Sequence, residues 1–378
     1  MDTNVVDVNL ASPKVTVLMP VYNGAKYLGE AIESFLGQTF ADFEFLIIND
    51  GSTDGSVDIV RTYPDPRIRL VENSENLGLI ATLNRGIALA RGEYIARMDC
   101  DDISLPKRLE KQVAFMDAHP EVGVCGTWIE TFGDETVGVT LRFPTDPERI
   151  RCVTFFNTCV GHATSIMRSA ALKKYAISYD PAYCHAEDYA FWVEALRHFD
   201  LANIGEVLYL YRQHPTQVTV RHLAAQTETV HRIRRNILAD LGVEASDAEF
   251  ALHSWLASPT LRVARTMGQD VCRALVDVSE GWFAKLRAAN DKKRIYPEPA
   301  FSRMLFAQWF IICAQLLVAK GPGMVRDFRL LAHLDRLGLR RGYLVRHFLE
   351  VVATRVVSTK YRFFHLFDKP RMKIGAQN

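Results

Sequence analysis

Apolar positions in the first third of the chain fall into short solid runs separated by stretches with helical spacing. Val15-Thr16-Val17-Leu18-Met19-Pro20 and Glu44-Phe45-Leu46-Ile47-Ile48 are apolar with little alternation, the pattern of strands covered on both faces. Ile68–Val71 and Tyr94–Met98 repeat the pattern more briefly. Residues 27–36, 79–90 and 106–119 place their apolar side chains on one face of a helix. Strands alternating with helices of this length predict parallel βαβ units and an α/β fold with a mostly parallel sheet flanked by helices. From Val122 the pattern shortens. Val122–Trp128 and Val137–Phe143 read as antiparallel additions to the sheet, Ala186–Phe199 as an amphipathic helix, and Ile204–Tyr211 as a further strand. Beyond His214 nearly every segment reads as helix with Arg-rich faces.

Charge divides the chain where the pattern does. The 378 residues have a net charge of +1, yet residues 1–219 carry 19 Lys and Arg against 30 Asp and Glu, and residues 220–378 carry 26 against 14. Two domains with different partners fit this division, as do two halves that attract each other. The expected organisation is a flexible 1–13, an α/β domain over 14–219 and a mainly helical basic region over 220–378. Seven cysteines without a CxxC pair argue against a disulfide framework and a zinc site, and favour a reducing, cytoplasmic compartment. The first 12 residues lack the basic and apolar regions of a secretion signal. Residues 301–319 are apolar but broken by Ser302, Arg303, Gln308 and Gln315, too short a stretch for a spanning helix. Residues 360–373 interleave basic and aromatic side chains. That mixture suits peripheral contact with an anionic bilayer, or a helix docked by its aromatic side. No nucleic-acid-binding motif accompanies these charges.

The densest chemistry lies in Arg97-Met98-Asp99-Cys100-Asp101-Asp102, directly after an apolar run. Open α/β sheets bind ligands beyond the carboxyl ends of their strands. Three carboxylates crowded there repel one another unless a divalent cation or basic partners neutralise them. The bland alternative is an acidic turn capping the helix near Pro106. Asp50 follows the second strand in the same way, as a ligand-binding carboxylate or an Asx-turn. Asn73, Asn76 and Gly78 precede a helix whose N-terminal N–H groups suit polar ligands or simple capping. Glu187-Asp188 opens another helix, where acids serve as a general base or merely complement the helix dipole.

In order, residues 17–56 (VLMPVYNG to INDGSTDGS), 72–102 (ENSENLGLI to IARMDCDD) and 185–192 (HAEDYAFW) resemble the family 2 glycosyltransferases of GT-A fold, over roughly residues 14–214. The resemblance implies a Rossmann-like GT-A domain and an inverting, metal-dependent hexosyltransferase. Such an enzyme moves a sugar from a nucleoside-diphosphate donor, foremost a UDP-sugar, to an acceptor hydroxyl. It implies Asp50 on the base, framed by Pro20 and Tyr22, with Asn76 near the nucleotide. Arg97 then neutralises the acidic run or reaches the donor. Asp101 touches Mg²⁺ or Mn²⁺ most directly, while Asp99 holds the ribose or a metal water. Asp188 is the base, oriented by Glu187. Arg212 pairs with phosphate and His214 supplies a nitrogen ligand. The acceptor would be a glycan or lipid-linked saccharide in polysaccharide or cell-envelope synthesis, met at the cytoplasmic membrane face. Two other readings stay open. A sugar-nucleotide pyrophosphorylase lacks support from Pro20-Val21-Tyr22-Asn23-Gly24, which is poor in glycine and without arginine. A catalytically silent nucleotide-sugar-binding assembly protein sits badly with an intact Asp101 and Asp188.

Overall fold

In the computed structural model, residues 12–133, 138–214, 223–257 and 269–309 are described. They fall into two compact units, one up to Ile150 together with Thr158–Gln213, the other Arg151–Asn157 together with residues from His214 onward.

The first unit is built on β1 (Val15–Val21), β2 (Phe43–Asn49), β3 (Ile68–Glu72) and β4 (Tyr94–Arg97), parallel and in the order β3-β2-β1-β4. Every residue of β1 and β2 is buried, in keeping with their mostly apolar runs, and the buried Thr16 hydroxyl donates to Glu44 at 2.7 Å. The crossovers are α1 (Leu28–Leu36), α2 (Ser56–Arg61) and α3 (Leu79–Leu89). The chain leaves β1 toward β2 and β3, then returns to β1's other side as β4. That reversal opens a crevice at the carboxyl ends of β1 and β4.

The remaining elements of this unit are β5 (Ile103–Ser104), α4 (Arg108–Ala118), β6 (Val122–Phe132), β7 (Thr140–Leu141), α5 (Pro147–Thr154), whose end belongs to the other unit, β8 (Ile166–Arg168), α6 (Ser169–Lys174), α7 (Glu187–Ala195) and β9 (Asp200–Arg212). The sheet continues β4-β8-β6-β9-β5, with β7 on β6. β8 runs antiparallel to both β4 and β6, and β5 antiparallel to β9. The two long strands, β6 and β9, are parallel to each other over nearly their full lengths. Of the expected strand over Val137–Phe143, the described residues form Thr140–Leu141, which pairs antiparallel with Ile129 and Glu130 of β6, while Val137 lies outside them.

In the second unit, α8 (Leu223–Asp240), α9 (Asp247–Ala257), α10 (Gln269–Lys293) and a helix over 300–309 agree with the helical reading of this region. Phe155 and Phe156 supply part of its core. Their rings lie 5.1 and 4.6 Å from that of His253, and Arg234 Nε donates to the Phe156 carbonyl at 2.9 Å. Burial, with help from Arg234, lowers the His253 pKa to about 3, so this histidine packs as a neutral ring. Among the described residues no helix is long and apolar enough to cross a membrane. Residues 310–319 and the basic aromatic segment 360–373 lie outside the described residues.

Candidate active site at the strand ends

Three of the residues singled out in the sequence occupy the carboxyl ends of neighbouring strands. Pro20 is buried in β1, Asp50 follows β2, and Asp99 lies just beyond β4. Asp50 is almost wholly enclosed and tightly held. Its Oδ1 accepts from Asn73 Nδ2 at 2.6 Å and from the Leu77 N–H at 2.9 Å; its Oδ2 accepts from the Gly78 N–H at 3.0 Å. An ionised carboxylate has about four acceptor positions, so Oδ2 keeps one for a ligand N–H. Glycine is needed on both sides of this cradle. Gly78 has φ 85°, and a Cβ on Gly51 (φ 68°) would sit 2.6 Å from the Asn76 nitrogen. The Asx-turn belongs to Asn49, whose Oδ1 accepts from the Ser52 N–H at 3.1 Å, and not to Asp50.

Asn73, rather than Asn76, anchors Asp50; the Asn76 side chain is exposed. Tyr22 and Leu77 are 52% and 49% exposed, two of the three large hydrophobic side chains left to solvent among the described residues. Each adjoins the cradle: Asp50 N–H donates to the Val21 carbonyl, and Leu77 N–H donates to Asp50. Exposed aromatic and aliphatic side chains beside a caged carboxylate suit the faces of a flat heterocycle. Tyr22 was legible in the sequence. Leu77 was not, because one exposed leucine in a loop carries no pattern.

At the end of β4 the acidic run folds into a cluster. One oxygen from each of Asp99, Asp101 and Asp102 lies within 4.8 Å of the others. Arg97 is buried and its Nη1 donates to Asp99 Oδ2 at 2.6 Å, while its Nε lacks a partner. Asp99 remains 30% exposed. Asp102 is fully buried and already engaged: Oδ2 accepts from Tyr209 at 2.9 Å and Oδ1 from the Arg212 N–H at 2.7 Å. Burial raises the pKa of Asp99, Arg97 holds it back, and Asp101 pushes it further up. Burial and the charges of Asp101 and Asp99 raise Asp102 more strongly. Hard oxygen donors at this density fit Mg²⁺ or Mn²⁺. Asp102 is enclosed, with one donor on each oxygen, whereas Asp99 is partly exposed and Asp101 is not fully buried, so these two are the carboxylates more open to a cation.

Beneath this loop lies a cation that the sequence reading did not single out. Arg108, fully buried on α4, donates from Nη2 to the Arg97 carbonyl at 2.8 Å and from Nε to Gln112 at 3.0 Å. Its guanidinium also lies over the Tyr209 ring, 5.2 Å from the centroid. Arg108 therefore fixes both the backbone that enters the acidic run and the tyrosine that receives the Asp99 N–H and donates to Asp102.

Glu187 and Asp188 form the first turn of α7. Burial, reinforced by the adjacent charge of Glu187, raises Asp188 to about 7, against the pull of the Tyr189 N–H and Arg97. Burial likewise raises Glu187, and the charge of Asp99 adds to that rise. Glu187 therefore senses the charge of Asp99, and Arg97 draws down Asp99, Glu187 and Asp188 alike. Two further residues join them. Tyr179 is buried, its hydroxyl 2.8 Å from His162 Nε2, and its ring lies 4.5 Å from that of Phe191 on α7. Asn84 of α3 pins the Tyr179 backbone by bonding both its N–H and its carbonyl. Burial and Arg97 keep His162 neutral, so it shares one hydrogen bond with the Tyr179 hydroxyl as an uncharged ring.

Arg212 ends β9, with its guanidinium 4.4 Å from the ring centroids of both Tyr27 and Phe132. Its Nε donates to the Asp101 carbonyl at 2.7 Å and its Nη2 to Glu30 at 2.7 Å. Arg212 thus borders the acidic loop. His214 is counted with the second unit, and the compact acidic cluster comprises Asp99, Asp101 and Asp102.

Comparison with known proteins agrees with this architecture. Residues 16–176 match the profile described as Glycosyl transferase family 2. An uncharacterised glycosyltransferase of Haemophilus influenzae is 32% identical over 235 residues, covering 59% of this chain and 72% of the relative. The putative glycosyltransferase EpsE of Bacillus subtilis is 39% identical over 166 residues, covering 43% and 59%. The fold resembles the crystal structure of S. aureus TarS 1–349 in complex with UDP-GlcNAc, with a TM-score of 0.54 at 20% identity, covering 87% of this chain and 93% of that one. By sequence and by its GT-A-like fold, the chain belongs to glycosyl transferase family 2 and is a glycosyltransferase.

Proposed function

We propose that this glycosyltransferase uses a UDP-sugar and Mg²⁺ or Mn²⁺, and that it inverts the anomeric centre as it passes the sugar to a hydroxyl of a glycan or lipid-linked saccharide. The observation that carries the reading is the electrostatic neighbourhood around Arg97. It holds a cluster of hard oxygen donors and, separately, one carboxylate whose pKa is pushed up to about 7. TarS, whose fold is shared, was crystallised with UDP-GlcNAc, which supports a nucleotide-sugar donor here.

In this reading the remaining acceptor position on Asp50 Oδ2 takes the imide N–H of uracil, with Tyr22 and Leu77 against the ring and Pro20 and Asn76 bordering the pocket. Asp99 and Asp101 would hold the cation, whose charge would stabilise negative charge on the departing diphosphate. Arg97 and Arg212 pair with donor oxygens. Asp188 takes the proton from the acceptor hydroxyl as it attacks, and Glu187 keeps the Asp188 proton affinity close to neutrality. With a base but no carboxylate nucleophile, one displacement occurs and the configuration inverts, by the logic that holds for inverting glycosidases.

Residues 14–219 form the catalytic domain, and the basic 220–378 region brings the enzyme to the cytoplasmic face of an anionic membrane. Turnover of a UDP-sugar panel with Mn²⁺, read by the anomeric proton signals of the product, tests the central reading. An inverted linkage supports it; a retained one, or transfer undiminished by chelation, contradicts it. Flotation with anionic liposomes tests the membrane role. Loss of residues 360–378 is expected to lower recovery, and equal recovery would remove the tail from the account.

A further inference from the structure

Glu30 is a surface residue of α1, 59% exposed, and in isolation it would pass as an acid complementing the helix N-terminus. Its partner is not ordinary surface. Arg212 is only 12% exposed, and its position is fixed by buried or structured groups: two flanking rings, the Asp101 carbonyl and the Asp102 carboxylate that takes its backbone N–H. The rings and the Asp101 carbonyl hold the guanidinium beside the acidic loop, and Asp102 holds the backbone from which it extends. Among the contacts of the described residues, Glu30 holds it by a solvent-exposed carboxylate, at 2.7 Å. A carboxylate and a phosphate engage the same donors of a guanidinium in the same way.

We propose that Glu30 is an internal competitor for the donor's diphosphate. In the donor-free enzyme its carboxylate occupies the Arg212 guanidinium, a diphosphate displaces it on binding, and it returns as the nucleoside diphosphate leaves. The inference rests on the proposed meeting of Arg212 with the diphosphate. Its physical basis is the inequality of the contacts. An ion pair with one partner in solvent contributes little, so exchange for a metal-bound diphosphate is favourable, whereas the buried contacts keep Arg212 in place throughout. Glu30 thereby weakens donor binding slightly and speeds product release.

Calorimetric titration with UDP and Mn²⁺ at low ionic strength separates the possibilities. Glu30→Gln is expected to bind UDP about two- to fivefold more tightly than the parent, the fold-change that an exposed ion pair can withhold, and added salt should narrow the gap. Glu33→Gln removes the same charge from the same helix, but Glu33 contacts Tyr63 and not Arg212, so it should leave the affinity unchanged. Unchanged or weaker binding in Glu30→Gln overturns the proposal, as does an equal gain in Glu33→Gln, which would mark a general charge effect. Arg212→Met tests the reading underneath and is expected to weaken UDP at least about tenfold. If that variant binds UDP like the parent, Arg212 does not meet the diphosphate, whatever Glu30→Gln does.

Discussion

Asp50 and Asp188 belong to the same structural unit and are handled in opposite ways. Asp50 receives three donors, two of them backbone N–H groups, in a cradle shaped by Gly51 and Gly78. Asp188 receives the N–H of its neighbour Tyr189 and sits in a desolvated turn beside a second carboxylate. The first arrangement makes a fixed acceptor, suited to recognition. The second makes a group whose proton is finely balanced, suited to catalysis. The same residue type thus acquires two roles from the number of donors and the nearest charge.

The largest effect expected from breaking this contrast is at Asp188. Asp188→Asn should lower kcat by about 10²- to 10⁴-fold, the usual contribution of a general base, while UDP affinity measured by calorimetry stays near the parent value. A parallel loss of UDP binding would place Asp188 on the donor side instead. Asp50→Asn should do the reverse. It sets an amide NH₂ where carboxylate oxygens now accept N–H donors, and UDP binding should weaken about 10- to 100-fold, with a smaller loss of kcat at saturating donor. Unaltered UDP affinity would remove Asp50 from base recognition.

A smaller effect concerns pH. Asp188 must be ionised to accept a proton, so kcat/KM should fall as pH drops below about 7. Glu187→Gln removes the like charge and should move that acid limb to lower pH; a shift the other way would contradict the assigned electrostatics. Stability carries the same sign. The folded state binds the Asp188 proton more tightly than the unfolded chain, so ionisation lowers stability as pH rises from the ordinary aspartate range to about 7. In thermal unfolding, Asp188→Asn should therefore gain relative to the parent between pH 4 and pH 8, and a constant difference across that range would count against a raised native pKa.

What the sequence made legible follows from where the information is local. β1 and β2 are recognisable because residues covered on both faces must be apolar almost throughout. β5, β8 and α6 are too short to carry a period of their own and take their stability from sheet neighbours. β9 begins at Asp200, earlier than its apolar run, because it pairs with β6 some 78 residues away, and Asp200 lies opposite Val122. α7 stops at Ala195, short of Phe199. Asp50 and Asp99 could be read because polar residues end apolar runs there, and Asp188 because Glu187-Asp188 opens a helix in a pattern that resembles the family's. Tyr179, His162, Arg108 and Leu77 could not, since each gains significance only through a distant partner: Phe191, Arg97, Tyr209 and Asp50 respectively.

The most direct test is the pH dependence of single-turnover sugar transfer in the parent enzyme and in Asp188→Asn, each saturated with Mn²⁺ and donor. The account expects an acid limb near pH 7 in the parent and a slow, nearly pH-independent residual rate in the variant. A variant that transfers sugar at the parent's rate with the same limb would show that another group takes the acceptor's proton.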